Sequence, residues 1–246
     1  MSNRKLSKRE KRRQRNNQNS EGQNQQQRGL HLGNIKPLTK NQERVFHSYN
    51  DDYNLVLHGF AGTGKTLLAM YLGLKDVLDR DYEEFDKVVI VRSTVQTRNM
   101  GFMPGGLDEK ASHYELPYKA ICTELFGRGD AYEILKQRDQ LEFVTTTFIR
   151  GITLNNAIVL VDESQNMDFH ELDSIMTRLG RDSKIIFCGD FRQADLRTKH
   201  DKSGLPDFLQ ILDKVGGFEK IEFVEDDIVR SQSVKDYLIK KMELGM

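Results

Sequence analysis

The sequence predicts an α/β fold, with a mostly parallel sheet covered by helices on both faces. Three observations carry this expectation. A glycine-rich loop, Gly59 to Thr66, lies between a short apolar strand and an apolar helix. Further apolar segments rich in β-branched residues alternate with segments of helical period along the rest of the chain, the pattern of strands covered on both faces. Two of these strands run into acids, at Asp162-Glu163 and at Asp190. In open sheets of this class, ligands lie beyond the carboxyl ends of the strands.

In chain order, Pro37 to Gln42 leads into a helix through Val45, Phe46 and Tyr49. Tyr53 to His58 is the first strand, and the helix after the glycine loop ends near Asp79. Phe85 to Arg92 is the second strand, followed by a polar, glycine-rich loop from Ser93 to Leu107. Residues 108–126 read as a helix interrupted near Pro117, because proline removes a helical N–H and crowds the preceding turn. Ala131 to Leu135 is a short helical piece, and Leu141 to Thr146 a third strand. Ala157 to Glu163 is the fourth strand, Phe169 to Leu179 a helix, and Lys184 to Asp190 the fifth strand. Leu205 to Val215 is a helix, Ile221 to Val224 a sixth strand, and Val234 to Leu244 a last helix.

The formal net charge is zero, yet it is unevenly spread. Residues 1–28 hold nine Lys/Arg and two Glu, which leaves 28 basic against 35 acidic residues in the remainder. With Met1 and Leu6 as its sizeable apolar groups, this segment cannot offset its ordering entropy,. Residues 1–29 are therefore expected to be a disordered basic Asn/Gln-rich tail, and residues 30–246 one folded domain with 201–246 as its helix–strand–helix extension. The tail's charge suits nucleic acid phosphates and a solvating role equally. Cys122 and Cys188 form no close pair, which argues against a disulfide scaffold or a zinc site. No apolar run is long enough to span a bilayer,. The expected location is a reducing cytoplasm with no membrane contact.

Gly59-Phe60-Ala61-Gly62-Thr63-Gly64-Lys65-Thr66 fits G-x-x-x-x-G-K-[ST] in its strand–loop–helix frame, the signature of a phosphate-binding loop. Glycines let backbone N–H groups close around anionic oxygens, and the helix adds the positive end of its dipole. The predicted contacts to a nucleoside triphosphate are Gly59, Ala61, Gly62, Thr63, Gly64, Lys65 and Thr66. Lys65 would reach the β and γ phosphates, and the Thr66 hydroxyl would ligate Mg²⁺. Asp162 follows the loop by about a hundred residues and would hold the same Mg²⁺. Glu163 would activate the attacking water as general base. Gln193, three residues past Asp190, would sense the γ-phosphate or orient the water.

The ordered set of motifs resembles the PhoH family, whose core is similar to the first motor lobe of superfamily 1 helicases. The resemblance covers roughly residues 35–235. It rests on Leu38 to Gln42, Gly59 to Thr66, Gly101 to Gly105, Phe148 to Ala157, Val161 to Asn166, Thr177 to Gly180, Gly189 to Asp195 and Asp227 to Ser231. Ser164 departs from the usual Ala of D-E-A-Q, and Ile152 stands where Arg is frequent; neither removes a phosphate or metal ligand. The resemblance implies a three-layer α/β/α, RecA-like P-loop NTPase core with ATP as nucleotide. It also implies that Gln42 recognises the adenine edge, since an amide both donates and accepts. The matching segment in helicases grips nucleic acid, which nominates Arg92, Thr94 and Arg98, with Gln96 beside them; a plain solvated loop is the alternative.

About fifty residues follow the fifth strand, too few for a second motor lobe. An arginine completing the site must come from this extension or from a neighbouring subunit. Arg230 leads among Arg150, Arg178 and Arg192, because it follows a strand expected to end at the active edge. The sequence is thus read as a Mg²⁺-dependent ATPase, acting on or stimulated by RNA or single-stranded DNA. It is expected to be a homo-oligomer, with a hexameric ring as one form. The alternative is an ATP-gated adaptor that delivers a partner such as a nuclease. A small-molecule kinase is disfavoured by Gln42 and by Gly189 to Gln193.

Overall fold

The computed structural model describes residues 30–79, 84–93, 107–191 and 204–244. The basic tail, Thr94, Gln96, Arg98, Arg192 and Gln193 lie outside the described residues.

The described strands are β1 Asn54–Gly59, β2 Lys87–Arg92, β3 Leu141–Thr145, β4 Ala157–Asp162, β5 Lys184–Gly189 and β6 Phe218–Phe223. They form one sheet in the order β3-β2-β4-β5-β1-β6, with every neighbouring pair parallel. The helices are α1 Lys40–Asn50, α2 Lys65–Leu78, α3 Leu107–Phe126, α4 Ala131–Gln137, α5 Phe169–Met176, α6 Leu205–Val215 and α7 Gln232–Glu243.

Side chains alternate across a strand, so a parallel sheet needs apolar residues at both parities. β4 meets that demand, as all six of its residues are buried. Leu55, Leu57, Ile158 and Leu160 pack with residues of α1, α2, α3 and α4 on one face. Val56, Val159, Val161 and Ile185 pack with α5 and α6 on the other. The molecule is therefore three layers, α/β/α, as the sequence predicts. Among the described residues, no helix is long and apolar enough to cross a membrane.

The parallel order brings every carboxyl strand end to one rim. The register pairs Arg92 with Asp162, His58 with Gly189, and Gly59 with Phe223. The glycine loop, both acids and the strand preceding Arg230 thus share that edge.

Three expectations about elements need correction. Helix α3 runs through Pro117 without interruption. Pro117 and His113 are both exposed, so the carbonyl that loses its helical donor faces water. Helix α5 stops at Met176 rather than Leu179. The chain leaves the helix there to pair with residue 154: Leu154 N donates to Arg178 O at 2.8 Å and Gly180 N to Leu154 O at 2.8 Å. Strand β6 starts at Phe218, before Ile221, because Phe218 pairs with Asn54 at the start of β1.

Candidate nucleotide site

The phosphate loop joins β1 to α2. Gly59 adopts φ +117°, and a Cβ there would fall 2.1 Å from Phe223 O, so the β1–β6 junction admits only glycine,. Gly64 caps α2 in the left-handed region. Thr63 is fully buried and donates its hydroxyl to Phe60 O at 2.9 Å. Lys65 Nζ curls into the loop, donating to Phe60 O at 2.6 Å and Gly59 O at 3.0 Å. Burial lowers the Lys65 pKa, against the nearby acids Asp190, Asp162 and Glu163, which hold it up. Ala61 stands exposed at the loop's crest.

Thr66 begins the joint with the acid strand. Its Oγ1 donates to Asp162 Oδ1 at 2.9 Å, across 96 residues of sequence. Tyr118 donates its O–H to Asp162 Oδ2 at 2.9 Å. Burial and the charge of Glu163 raise the Asp162 pKa, while Tyr118, Thr66 and Arg92 oppose that shift. A hydroxyl and a carboxylate touching at the loop's edge are the hard-oxygen pair that Mg²⁺ takes. The residue types therefore fit the ion at Thr66 and Asp162.

Glu163 sits at φ +53°, ψ +38°, a conformation that costs a non-glycine residue energy and concentrates at functional sites. Gln165 Nε2 donates to its Oε2 at 2.6 Å. Gln165 Oε1 in turn accepts from Asp190 N at 3.1 Å, tying the end of β4 to the end of β5. Ser164 is fully buried and donates to Cys188 O at 2.9 Å. The serine that departs from D-E-A-Q therefore adds one more tie between the same two strands.

Gln42 is buried, with both ends of its amide engaged. Nε2 donates to Thr63 O at 3.0 Å and Oε1 accepts from Leu38 N at 2.8 Å. It holds the phosphate loop against the start of α1; one N–H and one lone pair of the amide remain for a ligand.

Arg230 arrives from beyond β6. Val229 N donates to Gly62 O at 3.1 Å. A Cβ on Gly62 would lie 2.9 Å from Arg230 Cγ, so the arginine stem crosses the loop itself. Asp227 anchors this segment, accepting from Asn41 Nδ2 at 2.7 Å and Val224 N at 2.9 Å.

The structure thus brings Gln42, Gly59 to Thr66, Asp162, Glu163 and Arg230 to one rim. Arg92 lies at that rim too, but its guanidinium stands 5.7 Å from the Tyr114 ring, beside the Tyr118 hydroxyl. Sequence reasoning missed Tyr118 and Asp227 and gave Gln165 no role. Tyr118 carries no local signal, since a tyrosine in an apolar helix reads as core. Asp227 and Gln165 fall inside family motifs, and that was the available clue.

A family model described as PhoH-like protein matches residues 34–242. Among curated relatives, a PhoH-like protein of Synechocystis sp. is 36% identical over 178 residues, covering 72% of this chain and 53% of that protein. A PhoH-like protein of Bacillus subtilis is 36% identical over 173 residues, covering 70% and 53%. Protein PhoH of Escherichia coli is 30% identical over 175 residues, covering 70% and 48%. The chain spans about half the length of these relatives. A solved large terminase of a thermophilic bacteriophage, in complex with ADP, is similar over 82% of this chain and 49% of its own. That likeness, at 15% identity and a TM-score of 0.48, says nothing about what this chain does. With a phosphate-binding loop bonded to an acid-ended strand in an all-parallel sheet, and a family match from residue 34 to residue 242, the chain belongs to the PhoH-like protein family of P-loop NTPases.

Proposed function

We propose that this chain binds ATP with Mg²⁺ and hydrolyses it. The observation that carries the reading is the 2.9 Å bond between Thr66 and Asp162, which joins the phosphate loop to the acid strand. Loop N–H groups and the α2 N-terminus receive the phosphates. Lys65 exchanges its bonds to Gly59 O and Phe60 O for phosphate oxygens. Thr66 and Asp162 hold Mg²⁺, which supplies charge neutralisation at the β and γ phosphates. Glu163 accepts a proton from water as the water oxygen attacks the γ-phosphorus and the bond to the bridging oxygen breaks. Gln193 senses the γ-phosphate. Gln42 keeps the loop in shape and offers its remaining N–H and lone pair to the adenine edge.

Arg230 supplies positive charge from the same chain, an assignment favoured by its stem lying across Gly62. Arg92 ends β2 at the active rim, and Thr94 and Arg98 come after it in sequence; these residue types favour RNA or single-stranded DNA as the stimulating ligand and sequence-independent contact as its mode. The protein acts as a homo-oligomer in the cytoplasm, its domain running over residues 30–246.

The test is nucleotide binding and ATP turnover, with and without RNA, while mass is monitored. Lys65→Ala is expected to weaken binding and abolish turnover, and Glu163→Gln to keep binding and lose turnover. Normal turnover in Lys65→Ala would reject the phosphate-loop assignment, and in Glu163→Gln the assignment of the base.

A further inference from the structure

Tyr118 is fully buried on α3. Phenylalanine would present the same ring to that face. The Tyr118 hydroxyl spends its hydrogen on a single acceptor, Asp162 Oδ2, at 2.9 Å. Asp162 Oδ1 receives Thr66 at the same distance. Two hydroxyls from two different helices therefore grip opposite oxygens of one carboxylate and set its plane. A carboxylate held at both oxygens cannot swing about its terminal torsion, which is otherwise broad.

Tyr114 lies one turn before Tyr118 on α3,. Its ring faces Arg92, the residue registered beside Asp162 on the neighbouring strand. Helix α3 thus meets the ends of β2 and β4 with two tyrosines, Tyr114 against the arginine and Tyr118 against the acid, with the arginine beside its hydroxyl.

We propose that Tyr118 is a positioning residue for the Mg²⁺ site: its O–H bond to Asp162 Oδ2 orients the metal-binding carboxylate and couples α3 to metal binding. The proposal rests on Thr66 and Asp162 being the Mg²⁺ pair. Groups that orient a metal ligand are typically worth about 10–100-fold in metal affinity.

The experiment is a Mg²⁺ titration of fluorescent N-methylanthraniloyl-ADP binding to the full chain. Tyr118→Phe is expected to raise the Mg²⁺ midpoint about tenfold while leaving nucleotide affinity in EDTA unchanged. A role confined to packing would weaken binding equally with and without Mg²⁺. Tyr132→Phe removes a buried hydroxyl from the same core cluster and is expected to leave the midpoint alone. A folded Tyr118→Phe protein with the wild-type midpoint overturns the proposal. If that variant does not fold, a 3-fluorotyrosine label at Tyr118 serves as a ¹⁹F NMR probe that keeps the O–H bond: its resonance is expected to shift when Mg²⁺ is added at saturating nucleotide, and a resonance that Mg²⁺ leaves unmoved overturns the proposal. A wild-type protein whose nucleotide binding ignores Mg²⁺ refutes the metal pair itself, a distinguishable failure.

Discussion

Replacing Arg230 with alanine separates catalysis from folding, and own-chain from neighbour supply. The side chain is exposed, so its loss is expected to cost no more than about 0.5 kcal/mol of stability, the usual range at such surface positions. That corresponds to roughly 1–2 °C in melting temperature for a chain of this size. Its stem crosses Gly62, placing it at the loop that would bear the phosphates. An arginine completing a phosphoryl-transfer site contributes on the order of a thousandfold in rate, about 4 kcal/mol of barrier. ATP turnover in Arg230→Ala is therefore expected to fall by about that factor, with an almost unchanged melting curve. A mixing assay then identifies the donor. If Arg230 acted on a neighbour's nucleotide, Lys65→Ala subunits would restore activity to Arg230→Ala subunits. Because Val229 N is bonded to Gly62 O of the same chain, no restoration is expected. Wild-type turnover in Arg230→Ala refutes the catalytic assignment, and recovery on mixing refutes supply from the same chain.

Other outcomes follow from the same geometry. Gly59→Ala puts a Cβ 2.1 Å from Phe223 O at φ +117°; overpacking and strain together cost about 3–5 kcal/mol, and thermal melting is expected to fall by about 10 °C. Gln42→Ala leaves the buried Thr63 O without its amide donor; at about 1–3 kcal/mol for an unpaired buried group, ATP and GTP are both expected to bind several-fold more weakly. A loss confined to ATP, read by calorimetry, would show that base reading is the main work of the amide. Burial pushes the Cys122 thiol up from 9.0 to about 12, which lowers its thiolate fraction at pH 8 by about a thousandfold. Iodoacetamide is expected to leave Cys122 unlabelled in the native protein and to label it in urea; rapid native labelling would show that α3 is not packed as described.

The phosphate loop was legible because its conformation is encoded within eight residues, where glycines at 59, 62 and 64 permit the positive φ values that the backbone adopts. The parallel sheet was legible because strands buried on both faces must be apolar at both parities, as in β4. Asp162 and Glu163 followed from both, since a strand ending in acids must place them at the loop's rim. The tertiary structure alone decided what those groups touch. Tyr118 reaches Asp162 across 44 residues, and Asn41 reaches Asp227 across 186. Neither pairing leaves a local pattern, because a contact between elements depends on how layers stack and not on periodicity within one. The unbroken helix at Pro117 has the same origin: the rule against interior proline is local, whereas the solvent that receives the His113 carbonyl is a property of the folded surface.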